Sequence, residues 1–260
     1  MMHLPFSLDR TIVINAAPDV VFSFFTASDR WASWWGAGST IDPRPGGAMR
    51  IRYPNGIEAA GEVLDVAPPE RVVFTYGFTS GDPIPAGSSR VTIRLEPAGH
   101  GTRLFLTHEF AEASARDHHV QGWRYQLSVF ANVVADLANK DAPSLADAWF
   151  EAWSEPQDAL RKERLEKIAA PDVRFADRFG LLSGIGDLVP HIAAAQRFMP
   201  DMRLTRSGEI RHCQGTVLVD WIAAGSDGQE RGRGTSVFTL RGDGLIESVV
   251  GFWARPAPSS

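Results

Sequence analysis

Ser88-Ser-Arg-Val-Thr-Ile-Arg-Leu-Glu-Pro-Ala-Gly-His-Gly-Thr-Arg-Leu-Phe-Leu-Thr-His-Glu-Phe110 is the stretch that decides the fold of the first half of this chain. It reads as two alternating strands joined by a Gly99-His-Gly101 turn. Successive side chains of a strand point to opposite faces, so Leu104, Leu106, His108 and Phe110 share one side of the second strand. A helix is expected next, over about 112–139, with Trp123, Leu127, Phe130, Val134 and Leu137 on one stripe. A sheet whose apolar face is closed by one long helix encloses a hollow, which is the architecture of a container for something small.

Working outward, Phe6 to Asn15 alternates as a strand, and Pro18 opens an apolar helix carrying Val20, Val21, Phe24 and Phe25. Trp31, Trp34 and Trp35 precede a loop ending at Gly46-Gly47, and further strands are expected at 48–53, 58–66 and 71–78. Turns at Asn55-Gly56, Pro68-Pro69 and Gly81-Asp-Pro83 separate them. Met49, Ile51 and Tyr53 fall on one face, opposite Arg50 and Arg52, while Val72, Phe74, Tyr76 and Phe78 share another. The candidate ligand-binding residues of this half are therefore Trp35, Tyr53, Phe74, Tyr76, His108 and Trp123, mostly apolar with a few polar handles. The same rings in phase also suit a filled core. An imidazole among leucines must find a partner, so His108 either touches a ligand or makes a structural hydrogen bond. Asp117-His118-His119 carries no metal expectation, because adjacent helical residues point about 100° apart and no His-x3-His spacing follows.

Lys140-Asp-Ala-Pro-Ser144 breaks the helical pattern and divides the chain into domains at 1–141 and 142–260. The second half begins with helical segments at 145–154 and 157–169, a short strand at 172–177 and a helix at 187–198. Strands are expected at 203–213, 216–224, 231–240 and 245–253, the last two joined at Gly242-Asp-Gly244. Asp177 is in phase with Val173, Phe175 and Phe179, and a carboxylate on that apolar face suits proton abstraction beside a carbonyl. His212 and Cys213 are adjacent on a strand and face opposite ways, which excludes a Cys-His nucleophile pair. The run Arg161-Lys-Glu-Arg-Leu-Glu-Lys167 reads as a solvated helix face.

Composition sets the outer limits. The 260 residues are 44% hydrophobic and 22% charged, with a formal net charge of -5, which opposes a nucleic-acid surface. One cysteine permits no internal disulfide, so a reducing cytoplasm is expected. The N-terminal residues lack the apolar core of a signal peptide, and no apolar run of membrane-spanning length occurs, so no membrane association is expected. No phosphate loop or dinucleotide fingerprint is present, and neither cofactor nor metal is expected.

Ala17-Pro-Asp-Val-Val-Phe22, Trp34-Trp35, Gly46-Gly47, Gly61-Glu-Val63, Pro68-Pro-Glu-Arg-Val-Val-Phe-Thr75, the strand pair and Gly122-Trp123 occur in order. On these motifs the first half resembles the activator-of-heat-shock-protein-90-ATPase homologue family, within the START-like helix-grip superfamily. Residues 145–253 resemble the SnoaL-like family with its cone-shaped, nuclear-transport-factor-2-like α+β barrel. Here the match rests on Pro171 to Asp177, Gly184, His191-Ile192, Gln196, Val217 to Trp221, Gly232 to Gly234 and Asp243 to Ile246. The fold class implied is α+β in two domains. In ketosteroid-isomerase-like relatives an Asp at the place of Asp177 is the general base, aided by a Tyr on the first helix and an Asp on a late strand. This chain has Trp149, Phe150 and Trp153 on that helix and Ser236 near the late position, which counts against isomerase activity. Trp153, Phe175, Trp221 and Ser236 join Asp177 as candidate site residues. The resemblances imply a binder of a small hydrophobic or aromatic molecule, with a cyclase- or isomerase-like enzyme as alternative. A chaperone partner is the third reading, and a homodimer through the C-terminal domain is expected from the SnoaL-like likeness.

Overall fold

The computed structural model describes residues 3–254. The chain folds as two compact units that divide between Ala138 and Asn139. Both are α+β.

In the first unit β1 (Phe6–Ile14) leads into α1 (Pro18–Ser23) and α2 (Ser28–Trp35). Then come β2 (Thr40–Ile41), β3 (Ala48–Arg52), β4 (Glu58–Ala67), β5 (Arg71–Tyr76), β6 (Ser89–Ala98), β7 (Gly101–Phe110) and α3 (Ala113–Ala138). The strands form one antiparallel sheet in the order β1-β7-β6-β5-β4-β3-β2. Val91 faces His108, Ile93 faces Leu106 and Leu95 faces Leu104 across the β6–β7 ladder. Gly99, at φ +59°, turns the chain between those strands. All of these inward residues are buried, as are Met49, Ile51, Val72, Phe74 and Tyr76. Against the sheet α3 sets Ala115, His119, Trp123, Leu127, Phe130 and Val134, a stripe at steps of four and three. Trp34 and Phe25 pack on Phe130 at 4.7 and 5.1 Å between ring centres.

Two strand ends fall short of the expected alternation. β3 stops at Arg52 and β5 at Tyr76, leaving Tyr53 and Phe78 outside regular strand. At Gly77 a Cβ would collide with the Pro85 carbonyl, so the returning 79–88 segment crosses where a side chain would stand. Phe78 makes only isolated bridges, to Ala59 and Pro85.

The second unit runs α4 (Ala142–Ser154), α5 (Asp158–Ile168), β8 (Ala169–Ala176), β9 (Leu181–Ser183) and α6 (Ile185–Phe198). β10 (Arg203–Arg206), β11 (Arg211–Cys213), β12 (Thr216–Ala224), β13 (Glu230–Leu240) and β14 (Ile246–Trp253) complete it. The sheet order is β10-β12-β13-β14-β8-β9, with β11 also on β12; only the β14–β8 pairing is parallel. The strand expected over 203–213 is two strands, interrupted where Gly208 takes φ +77°. Strand β9, three residues long, is too short to show an alternation in the sequence. Pro143, expected to break a helix, instead sits in the first turn of α4, where a missing N–H costs nothing.

Arg161 overturns the reading of its charge run as wholly solvated. It is fully buried. Its guanidinium donates to the Glu155 carbonyl, Asp158 Oδ1, the Val189 carbonyl and Gln196 Oε1 at 2.6–3.1 Å. A buried cation is tolerated when its donors are met this fully. Gln196 completes the knot by donating to the Trp153 and Glu155 carbonyls. Among the described residues no helix is long and apolar enough to cross a membrane.

Candidate ligand cavity

The first unit contains a cavity of about 370 Å³. Trp35 at the end of α2, Tyr53 after β3, Tyr76 and Phe78 from β5 onward, and His119 and Trp123 on α3 form its walls. Trp35 meets Tyr53 and Trp123 edge to face, at 5.8 and 5.7 Å. Such offset arrangements satisfy the ring quadrupoles and fix the wall. Gly122 and the exposed Tyr125 stand at the rim, and nothing lies within 4 Å of where a Gly122 Cβ would be.

The tyrosine hydroxyls lie 2.8 Å apart. Burial pushes the Tyr53 phenol up to about 12 and Tyr76 well above its ordinary value, so both keep their protons. Two O–H groups that share one hydrogen bond leave one hydrogen over.

His108 is not on the cavity wall. It lies behind the wall, fully buried, with Trp123 Nε1 at 2.9 Å from Nδ1 and Ser89 Oγ at 2.7 Å from Nε2. Ser89 Oγ also lies 2.7 Å from the Tyr76 carbonyl. The indole can only donate and the carbonyl can only accept. Burial holds the imidazole well below its ordinary pKa, hence neutral. The chain then has one direction: Trp123 N–H to His108 Nδ1, His108 Nε2–H to Ser89 Oγ, Ser89 O–H to the Tyr76 carbonyl. Both ring nitrogens are spent on structure. Phe74 is likewise off the cavity, packed edge to face on Trp31 at 5.7 Å.

Sequence reasoning weighed His119 only as a metal ligand beside His118, and not as part of this cavity. Its Nδ1 lies 2.7 Å from the Ala115 carbonyl, so that nitrogen carries the proton. Desolvation lowers its pKa, and in the neutral ring Nε2 is left as an acceptor. Nε2 is buried and has no partner in the protein; Trp35 Nε1, a donor, is in the same position. The signal was available: His119 stands four residues before Trp123 on the same stripe. His118, one residue earlier, is exposed. Among the described residues no three His, Cys, Asp or Glu side chains cluster as a metal site.

In the second unit Trp153, Phe175, Asp177, Trp221 and Ser236 surround one hollow, of only about 40 Å³. That is room for a water or two. Asp177 follows the end of β8, and its Oδ1 accepts from the Phe179 and Gly180 amides at 2.7 and 2.9 Å, closing a turn. Trp253 Nε1 lies 3.4 Å from Oδ2. Because the turn ends the strand alternation, Phe179 does not share the apolar face with Asp177; it is exposed and packs on Trp253 at 5.6 Å. Trp153 Nε1 and Trp221 Nε1 are buried without partners. Gly234 seats Trp221, since a Cβ there would collide with the indole and with the Phe252 carbonyl.

Fold and geometry define a class: two α+β units in which helices pack on a single sheet, the first holding an aromatic cavity. Residues 15–135 match the family described as activator of Hsp90 ATPase homolog 1-like protein. No curated protein matches the chain. Among solved structures, a SnoaL-like family protein from Agrobacterium tumefaciens is 25% identical, with 43% of this chain and 96% of that chain covered and a TM-score of 0.42. An AHSA1 protein from Silicibacter pomeroyi is 26% identical over 48% of this chain and 95% of that one, with a TM-score of 0.41. The Aha1 dimer from Colwellia psychrerythraea is 19% identical over 47% and 90%, also at 0.41.

Proposed function

We propose that this protein binds a small hydrophobic or aromatic molecule in the cavity of its first unit. One observation carries the reading: a hollow of about 370 Å³, within the usual range for ligand sites, is walled by aromatic rings packed mostly edge to face, two of whose residues, Trp35 and His119, hold buried polar atoms without a partner. A cavity meant only as core would be filled, because an interior gap forfeits dispersion contacts. Native mass spectrometry of gently purified protein, followed by denaturation, tests it. A discrete organic mass released from the first unit's cavity is the expected result. Failure of any aromatic probe to quench tryptophan fluorescence or raise the melting temperature would sink the proposal.

A second reading makes the C-terminal unit a cyclase- or isomerase-like enzyme, with Asp177 as base and the two unpaired indole N–H groups holding a developing oxyanion. It needs the hollow to open and Asp177 to be released from its turn. Asp177→Asn would then abolish turnover and leave binding intact. A homodimer and a chaperone partner stand as lesser proposals; analytical ultracentrifugation and a chaperone ATPase assay decide them.

A further inference from the structure

The first cavity is asymmetric in its hydrogen-bonding demand, and that asymmetry points to a chemical class of ligand. His119 lines it, and its Nε2, an acceptor because Nδ1 is committed to the Ala115 carbonyl, lies buried just beneath that lining with no donor. The same lining residues hold two donors without an acceptor: Trp35 Nε1, likewise buried, and the spare hydrogen of the Tyr53–Tyr76 pair. A ligand that leaves these buried groups unmatched loses affinity through each one. A carbonyl or ether oxygen serves the donors and leaves His119 unpaired. An indole-type N–H serves His119 and leaves the donors unpaired. A carboxylate brings negative charge against the Nε2 lone pair. A hydroxyl donates and accepts through one atom, and so meets both demands at once without bringing a charge.

Resting on the reading of this cavity as a ligand site, we infer that its ligand is an aromatic alcohol, a phenol-type molecule whose O–H donates to His119 Nε2 and whose oxygen accepts from the Trp35 and tyrosine donors. The surrounding rings take the aromatic body; Trp35, Tyr53 and Trp123 offer edges and faces at 5.7–5.8 Å spacing. His119 Nε2 is shielded, and the neighbours on its cavity side are Tyr76 and Phe78, at 5.8 and 6.0 Å between ring centres. Phe78 is half-buried and outside regular strand, so it is the ring free to yield as the hydroxyl arrives. His119 would thus be a specificity-determining residue.

The test compares naphthalen-2-ol with 2-methoxynaphthalene, two probes with the same ring and differing in the donor, on the full chain by titration calorimetry. Naphthalen-2-ol is expected to bind about tenfold more tightly or better, the cost of one buried acceptor left unpaired. In His119→Phe the preference should collapse to near unity while 2-methoxynaphthalene still binds. Equal binding of both probes to the unaltered protein overturns the inference and leaves the cavity a general aromatic site. A preference that survives in a folded His119→Phe variant also overturns it. If neither probe binds, the reading of the cavity itself fails. Should His119→Phe not fold, as circular dichroism would report, the probe pair on the unaltered protein still decides.

Discussion

Trp123 Nε1 lies 2.9 Å from His108 Nδ1 and donates to it, and this contact sets the protonation of the whole buried relay through Ser89 to the Tyr76 carbonyl. The relay joins α3, which closes the sheet, to three strands beneath it. Trp123→Phe keeps most of the ring and removes the donor, leaving a buried imidazole nitrogen unpaired. Denaturant unfolding should show a loss of about 1–3 kcal/mol. A change below about 0.5 kcal/mol would mean the relay does not hold the helix.

Acid should weaken the first unit. Burial lowers the pKa of both His108 and His119 below the ordinary 6.5. The unfolded chain therefore binds more protons than the folded one as the pH falls below 6.5, and stability declines in that direction. Each histidine contributes a slope of up to about 1.4 kcal/mol per pH unit until its own folded-state pKa is reached. Melting temperatures recorded between pH 7.5 and 5 should fall monotonically, and the His119→Phe variant should show a shallower decline. A flat profile would show that neither ring is held neutral by burial.

Gly122 poses stability against binding. It lies inside α3 at the cavity rim, with open space where its Cβ would be. Gly122→Ala should raise stability by about 0.5–1 kcal/mol through helix propensity alone. Gly122→Leu should keep the fold and obstruct the cavity, lowering affinity for an aromatic probe. Undiminished binding by the leucine variant would place the ligand elsewhere.

Arg161 holds the second unit together from inside. Replacing it with Met leaves Gln196 Oε1 without its donor and the Glu155 carbonyl with Gln196 Nε2 alone, and should cost about 1–3 kcal/mol by thermal or chemical unfolding. Arg161→Lys should recover little, because one ammonium cannot span acceptors arranged for a planar fork. Full recovery by lysine would reduce the residue to its charge.

Period-two and period-3.6 patterning alone determined the α+β character, the β6–β7 hairpin and the inward faces of its strands. Those features are local, because strand and helix geometry fix which side chains share a face. Leu104, Leu106, Val72 and Phe74 needed nothing more than alternation to be placed inside. Only the tertiary structure decided the hydrogen-bond accounting. His108 and His119 look alike in the chain, yet the sheet and helix together give one of them two partners and the other a bare nitrogen. Asp177 alternates toward the core until two backbone amides turn it into the cap of a turn. Arg161 belongs to a run of surface charge until Gln196 and the Val189 carbonyl on α6 close over it. Which polar atom finds a partner depends on residues distant in sequence, and in a desolvated interior that pairing separates groups with partners from groups without them.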